Sequence, residues 1–291
     1  MWGSEYSSYY HVCTDGTSLE WMFLDDEDFI AGVNRIAVCQ LLTGIKVVAF
    51  VLMDNHLHLL LFGSRRMCMR FIHTYKVLTG KWIGRKYGKS GHLRGLPVEV
   101  ILVKDEEELM DLISYIDRNP LRAGFRYLPT EYRWGSARYV FKIMQRIEAE
   151  AVADIGLNAV RRKMHTRVKL PKDWLVDEFG MYVPDKTFLD VEKIQSIYKS
   201  PARYAYFMAK KLEGKVELSM ARNGKVFLSD KELRPVVAEI SMKMFNKADA
   251  RVLDVNSILQ IAKEMRRSYA CTVKQIGRML GLKPESLSDF I

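Results

Sequence analysis

Apolar and polar positions along the first half of the chain switch between the two-residue period of strands and the 3.6-residue period of helices. Tyr9-Tyr10-His11-Val12-Cys13 is short and apolar and predicts a first strand. Asp25-Asp26-Glu27-Asp28 stands where acidic side chains favour a helix N-terminus. Phe29, Ile30, Val33, Ile36, Ala37 and Leu41 then recur at helical spacing, and Gly44 supplies a stop. Lys46 to Met53 is a nearly continuous apolar, β-branched run, the pattern of a central strand. Asp54-Asn55 is a turn signal and His56 to Phe62 reads as the next strand, so residues 46–62 predict a hairpin. Arg65 to Lys86 predicts a helix that is basic on one side and closed by Gly88-Lys89-Ser90-Gly91. Leu96 to Val103 predicts a strand that Pro97 assigns to an edge. Asp105-Glu106-Glu107-Glu108 opens a helix with an apolar stripe of Leu109, Leu112, Ile113 and Ile116. Asn119-Pro120 is expected to end it, because a residue before proline is pushed out of the helical region.

Strand, helix, strand, strand, helix, strand, helix with short links predicts an α+β unit over residues 1–145, an antiparallel sheet with helices on one face. Residues 143–165 read as helix, finishing in Arg161-Arg162-Lys163. Residues 166–190 read as a linker with a small hairpin, so that 146–190 joins two domains. Residues 191–291 predict a mostly helical C-terminal domain. Its helix starts fall at Ser200-Pro201, at the capping box Ser229-Asp230-Lys231-Glu232 and at Asp254. The last stretch, Thr272 to Ile291, has a helix–Gly–helix pattern resembling a helix-turn-helix, with Gly281 in the turn and Pro284 starting the second helix.

The 48% apolar content is enough for a large core. No run approaches the roughly 18 apolar residues of a membrane span, and Met1-Trp2-Gly3-Ser4-Glu5 does not start a signal peptide. Four scattered cysteines without paired spacing fit a reducing cytoplasm. The net charge of +10 is unevenly placed: residues 65–94 carry nine Lys/Arg and no acid. Such a block usually meets polyphosphate.

The candidate chemistry begins at His56 and His58. One residue apart on a strand, they share a face and can grip one metal ion, whereas a pair of satisfied structural histidines is the bland alternative. On the helix after Asp105, Asp111, Tyr115, Arg118 and Asn119 fall together on a polar side. A tyrosine hydroxyl, with its free pKa of ~10, needs activation or a very electrophilic target to act as a nucleophile. A metal on two histidines would make a phosphodiester such a target, and the Asn119 amide oxygen could complete the shell. Two nitrogens and an amide oxygen suit Mn²⁺ well and Mg²⁺ tolerably.

Tyr10-His11-Val12, the Phe23 and Asp25–Asp28 segment, Val51 to Leu60 with Asp54-Asn55-His56-Leu57-His58, Gly91-His92-Leu93 and Tyr115 to Gly124 follow in order and spacing. Over about residues 6–140 they resemble the IS200-like single-tyrosine transposases, in the REP-associated branch of the HUH endonuclease superfamily. The segment after Leu93, Arg94-Gly95-Leu96-Pro97-Val98-Glu99, departs from that family's pattern. The resemblance implies a ferredoxin-like palm, His56 and His58 as the metal pair, Tyr115 as nucleophile and Asn119 at the polar position one turn later. It also implies cleavage of single-stranded DNA, at hairpin-associated sites, through a 5′-phosphotyrosine with a free 3′-hydroxyl.

On this reading Arg65, Arg66, Arg70, Lys76, Lys81, Arg85, Lys86, Lys89 and Arg94, with Arg118 and Arg122, contact DNA phosphates. The interleaved Phe71, Tyr75, Trp82 and Tyr87 divide between stacking on bases and core packing, with core favoured for Phe71 and Tyr75. Lys274, Arg278 and Lys283 beside Ser286 and Ser288 would meet duplex DNA, and a chain ending near residue 165 would still cut. The chain would act as monomer or homodimer, with no membrane partner. Two alternatives stand beside this reading: a transposase-derived regulator that binds DNA without cutting, and a histidine metallohydrolase that uses water.

Overall fold

The computed structural model describes residues 7–16, 18–123, 128–142, 147–163, 166–209, 228, 230–269, 271–283, 285–288 and 290. Expectations for Met1–Glu5, Gly124, residues 143–146, His165, Ser229 and Pro284 fall outside them.

The first half is built as β1 (Ser8–Thr14), α1 (Asp26–Thr43), β2 (Lys46–Leu52), β3 (Leu57–Gly63), α2 (Arg65–Tyr87), β4 (Val98–Leu102) and α3 (Glu106–Arg122). The helix ends are fixed by local chemistry. Asp25, Ser64 and Asp105 each accept a hydrogen bond from a backbone N–H of the first turn of α1, α2 and α3. Gly44 and Gly88 close α1 and α2 in the left-handed conformation, at φ of 69° in both cases. The strands form one antiparallel sheet in the order β2-β3-β1-β4. The fold class is thus α+β, as expected.

Helices cover both faces of this sheet, not one. α1 and α2 pack on each other and on one face, and α3 lies across the other, against β2 and β3. Both sets of side chains on β3 are therefore buried. Leu57, Leu59 and Leu61 point toward the α1–α2 layer and His58 and Leu60 toward α3. Full burial of each leucine is worth about 1.5–3 kcal/mol.

Further expectations are corrected. β2 is an edge strand, not a central one. Its outer side is nonetheless paired, because Leu52 N–H donates to Trp134 O, Ser136 N–H to Phe50 O and Asp190 N–H to Val47 O. An edge closed by such segments is buried like an interior strand. α3 continues through Pro120 to Arg122. The missing N–H falls in its last turn, and Ala123 N–H still closes on Asn119 O. Residues 147–163 are a short strand, β5 (Ala149–Ala151), and two short helices, α4 (Val152–Ile155) and α5 (Leu157–Lys163), separated by Gly156 in the left-handed region (φ 87°).

The segment expected to be a linker is packed. β6 (Leu175–Asp177) pairs with β5, while Trp174, Tyr182 and Phe188 join the same hydrophobic core as the sheet. α6 (Val191–Tyr198) and α7 (Pro201–Ala209) add Ile194, Tyr198 and Tyr204 to it. A second core is built from α8 (Asp230–Phe245), α9 (Val255–Ser268), α10 (Val273–Leu280) and α11 (Glu285–Ser288), around Leu233, Ile261, Met265 and Ile276. Among the described residues no helix is long and apolar enough to cross a membrane.

Candidate functional site

The β2–β3 turn sets the chemistry of His56. Asn55 points its amide nitrogen at two backbone carbonyls, Gly16 O at 2.8 Å and Leu19 O at 3.4 Å. Carbonyls only accept, so the amide oxygen of Asn55 is the atom left to face His56 Nδ1, at 2.9 Å. Nδ1 therefore carries the ring proton and Nε2 carries the lone pair. Gly16 closes over this ring: a Cβ there would stand 3.1 Å from His56 Nδ1.

His58 follows on β3, its ring 5.0 Å from that of His56 and nearly perpendicular to it. His58 Nδ1 lies 3.1 Å from His11 Nε2 on β1, with the two rings stacked. Both are buried. Desolvation depresses the pKa of His11 to about 3. Desolvation first, then the charges of His56, His11 and Arg122, hold His58 well below the usual imidazole range. Both rings are neutral near pH 7 and each has one nitrogen lone pair to offer.

α3 brings the other partners. The Tyr115 ring meets His58 edge-on, with centroids 5.4 Å apart, and His11 at 6.4 Å. One turn on, Asn119 places its Oδ1 3.3 Å from His56 Nε2. A further turn takes the helix past Pro120 and sets the Arg122 guanidinium 4.9 Å from the centre of the Tyr115 ring. The polar side of α3 is not solvent-exposed, as its spacing had suggested. Tyr115 is 4% exposed and Asn119 fully buried. Asp117 is buried between the hydroxyls of Ser136, at 2.8 Å, and Tyr204, at 2.5 Å. Asp111 is buried and Arg118 half-buried.

Two sets of donors could hold a metal. His56 Nε2 and Asn119 Oδ1 face each other with lone pairs, and Asn119 Nδ2 is buried without a hydrogen-bond partner. Their 3.3 Å separation is slightly longer than the roughly 2.8–3.0 Å edge of an octahedron with bonds of about 2.0–2.1 Å. Without an ion, a half-turn of the Asn119 amide would let its NH₂ donate to Nε2 instead. His11, Cys13 and His58 form a second group that could hold a metal ion, with ligand atoms all within 4.8 Å of one another. Burial pushes the Cys13 thiol up to about 12, with Glu99 and Asp15 adding to the shift.

The basic residues of α2 lie across the sheet from this cluster. Arg65, Arg66, Arg70, Lys81 and Arg85 are exposed along the helix, and Lys89 and Arg94 on the loop after it. Lys76, Lys81, Arg85 and Arg94 line one groove with His73 and the bare Gly80 and Gly84. Two of the expected phosphate contacts are engaged in the fold. Lys76 Nζ donates to Leu96 O, and Lys86 is ringed by Asp25, Glu27 and Asp28. Phe71, Tyr75 and Trp82 are buried, Trp82 donating to Asp28 Oδ1 at 2.8 Å. In the C-terminal unit, Arg278 is held by both oxygens of Asp230, at 2.8 and 3.0 Å, while Lys274 and Lys283 are exposed.

In the sequence alone His11, Cys13 and Asp117 carried no assigned role, and Asn55 only that of a turn residue. The one available signal was the two-residue spacing of His11 and Cys13 on a predicted strand, which puts both on one face. The pairing of that face with His58 is a matter of register. Comparison of the chain with models of known protein families, with curated proteins and with solved structures found no match.

Proposed function

We propose that the chain is a metal-dependent single-stranded DNA endonuclease and strand transferase that uses Tyr115 as its nucleophile. The observation that carries this reading is the convergence at the start of β3: one helix sets a phenol against His58 and an amide oxygen against His56 Nε2 in the turn before it. The strand order β2-β3-β1-β4 in a strand–helix–strand–strand–helix–strand unit supports a ferredoxin-like palm of the HUH type.

In this reading His56, His58 and Asn119 hold a divalent ion, Mg²⁺ or Mn²⁺. When bound, that ion draws charge from a phosphodiester oxygen of the substrate. The Tyr115 oxygen attacks phosphorus. A Tyr–O–P bond forms as the P–O3′ bond breaks, and the phenol's proton is made up on the departing 3′-hydroxyl. The products are a 5′-phosphotyrosine and a free 3′-hydroxyl. The Arg122 cation stands over the ring, where it would offset the charge of an incoming phosphate. The exposed cations of α2 would hold a part of the DNA remote from the cut link, such as a flanking hairpin.

The burial of Tyr115 favours a second reading, a regulator that binds such DNA without cutting. Incubation with labelled single-stranded hairpin DNA and Mn²⁺, followed by a denaturing gel, separates the two. A covalent adduct that Tyr115→Phe removes, with DNA binding retained, is expected. Binding without an adduct supports the regulator, and cleavage that survives Tyr115→Phe supports a water-based hydrolase.

A further inference from the structure

Cys13 has no part in the reaction above, yet its position is specific. It is paired directly opposite His58 across the β1–β3 ladder, and His11 lies two residues away on the same face of β1. The three side chains form a tripod of two imidazoles and one thiol, with ligand atoms within 4.8 Å. One further observation points to a ligand there. The 3.1 Å between His11 Nε2 and His58 Nδ1 is near the edge that two nitrogens leave on one ion at bonds of about 2.0–2.1 Å.

The donor chemistry differs from that of the His56–Asn119 side. A thiolate with two imidazoles selects zinc or a similarly soft ion, whereas an amide oxygen suits magnesium or manganese. His58 belongs to this set and, in the proposed nuclease site, to the other as well. A neutral imidazole has one lone pair, so His58 can present Nδ1 toward His11 and Cys13, or Nε2 toward the other side, but not both at once.

We propose that His11, Cys13 and His58 form a zinc-type site that shares His58 with the nuclease ion, so that filling one site empties the other. On zinc binding the Cys13 thiol gives its proton to solvent and binds as thiolate, and His58 moves its ring proton to Nε2. Zinc thereby acts as an off-switch. The existence of the zinc-type site stands on the tripod alone; the exclusion rests on the proposed nuclease site.

Cobalt(II) titration of the metal-free full-length chain tests the first part without activity. A thiolate-to-cobalt charge-transfer band in the near ultraviolet is expected. It should vanish in Cys13→Ser and His11→Ala and persist in His56→Ala, with circular dichroism confirming that each variant is folded. Absence of the band, or its survival in Cys13→Ser, overturns the site. The second part is read from bound Mn²⁺ by electron paramagnetic resonance. Stoichiometric Zn²⁺ should release Mn²⁺ from the unmodified chain at lower zinc concentration than from Cys13→Ser, where zinc competes only at the His56–Asn119 side. Mn²⁺ that stays bound while the zinc-type site fills overturns the sharing of His58. A cobalt band in a chain that never forms a DNA adduct would refute the nuclease alone, and an adduct with no band would refute the zinc-type site alone.

Discussion

The hydroxyl of Tyr204, on α7, donates to a carboxylate oxygen of Asp117, on α3, at 2.5 Å across 87 residues of chain. Ser136 Oγ lies 2.8 Å from the other oxygen and also contacts Phe50 on β2. A buried acid thus joins the helix that carries Tyr115 to the edge of the sheet and to the C-terminal side of the same core.

This contact makes stability depend on pH. Burial, partly offset by the two hydroxyls, raises Asp117 to about 7. In the unfolded chain an aspartate ionises near ~3.9. The folded chain therefore keeps a proton that the unfolded chain releases between these values. The stabilising contribution is whole below the unfolded pKa and is lost as pH rises through about 7, with an upper bound on the order of 4 kcal/mol. Asp117→Asn mimics the protonated acid, since its NH₂ can donate to Ser136 Oγ. Urea denaturation at about pH 5 and pH 8 should show a fall in the unmodified chain and a much flatter response in the variant.

His56→Ala and His58→Ala should each abolish metal dependence and DNA cutting together. Asn55→Ala acts one step removed, by freeing the His56 tautomer, and should weaken Mn²⁺ binding by roughly 10–100-fold. Calorimetric titration with Mn²⁺ reads all three. Unchanged affinity in Asn55→Ala would mean that the Asn55 contact does not orient the ligand.

Asp28 is fully buried and accepts from Leu24 N–H, Trp82 Nε1, Lys86 Nζ and the Tyr87 hydroxyl. Removing it strands the buried indole N–H, while Lys86 keeps Asp25 and Glu27. Asp28→Ala should cost about 1–3 kcal/mol, measured as a shift in denaturation midpoint.

The exposed cations should behave differently. Reversing Lys81, Arg85 and Arg94 together leaves the fold in place, since all three stand on the surface. Affinity for single-stranded DNA should fall and the salt dependence flatten by roughly 0.7 per lost contact in a log–log plot. An unchanged salt slope would remove this groove from the DNA path.

A chain ending near residue 165, expected from its sequence to keep cutting, should instead fail to melt cooperatively. It lacks Trp174, Tyr182, Phe188, Tyr198 and Tyr204, all buried in the core of the sheet. It also loses the Asp190 N–H bond to Val47 on β2. A chain ending near residue 209 keeps these contacts and should melt as one unit; scanning calorimetry compares the two.

The elements of the first half were legible because local signals agree. Asp25, Ser64 and Asp105 cap, Gly44 and Gly88 stop, and periodicity fills the space between. The edge position of β2 was not legible, since its outer partners, Trp134, Ser136 and Asp190, come from segments without a strand pattern. Helical spacing could group Tyr115 with Asn119, but not bury them, because residues such as Tyr204 that pack on α3 lie some 90 positions away. His58 could be found from its neighbour His56. Its other neighbours, His11 and Cys13, depend on strand register, which no local pattern encodes.

The near-complete enclosure of Tyr115 has a consequence for timing. Bond formation needs a phosphorus within about 3–3.5 Å of the phenol oxygen, and the closed arrangement leaves that oxygen scant access. A strand passing over the surface would therefore leave before reaction, and only one that dwells long enough for the Arg122 side of α3 to open would be cut. The onset of adduct formation should then follow the frequency of opening, a motion of microseconds to milliseconds, and become insensitive to DNA concentration once binding is saturated.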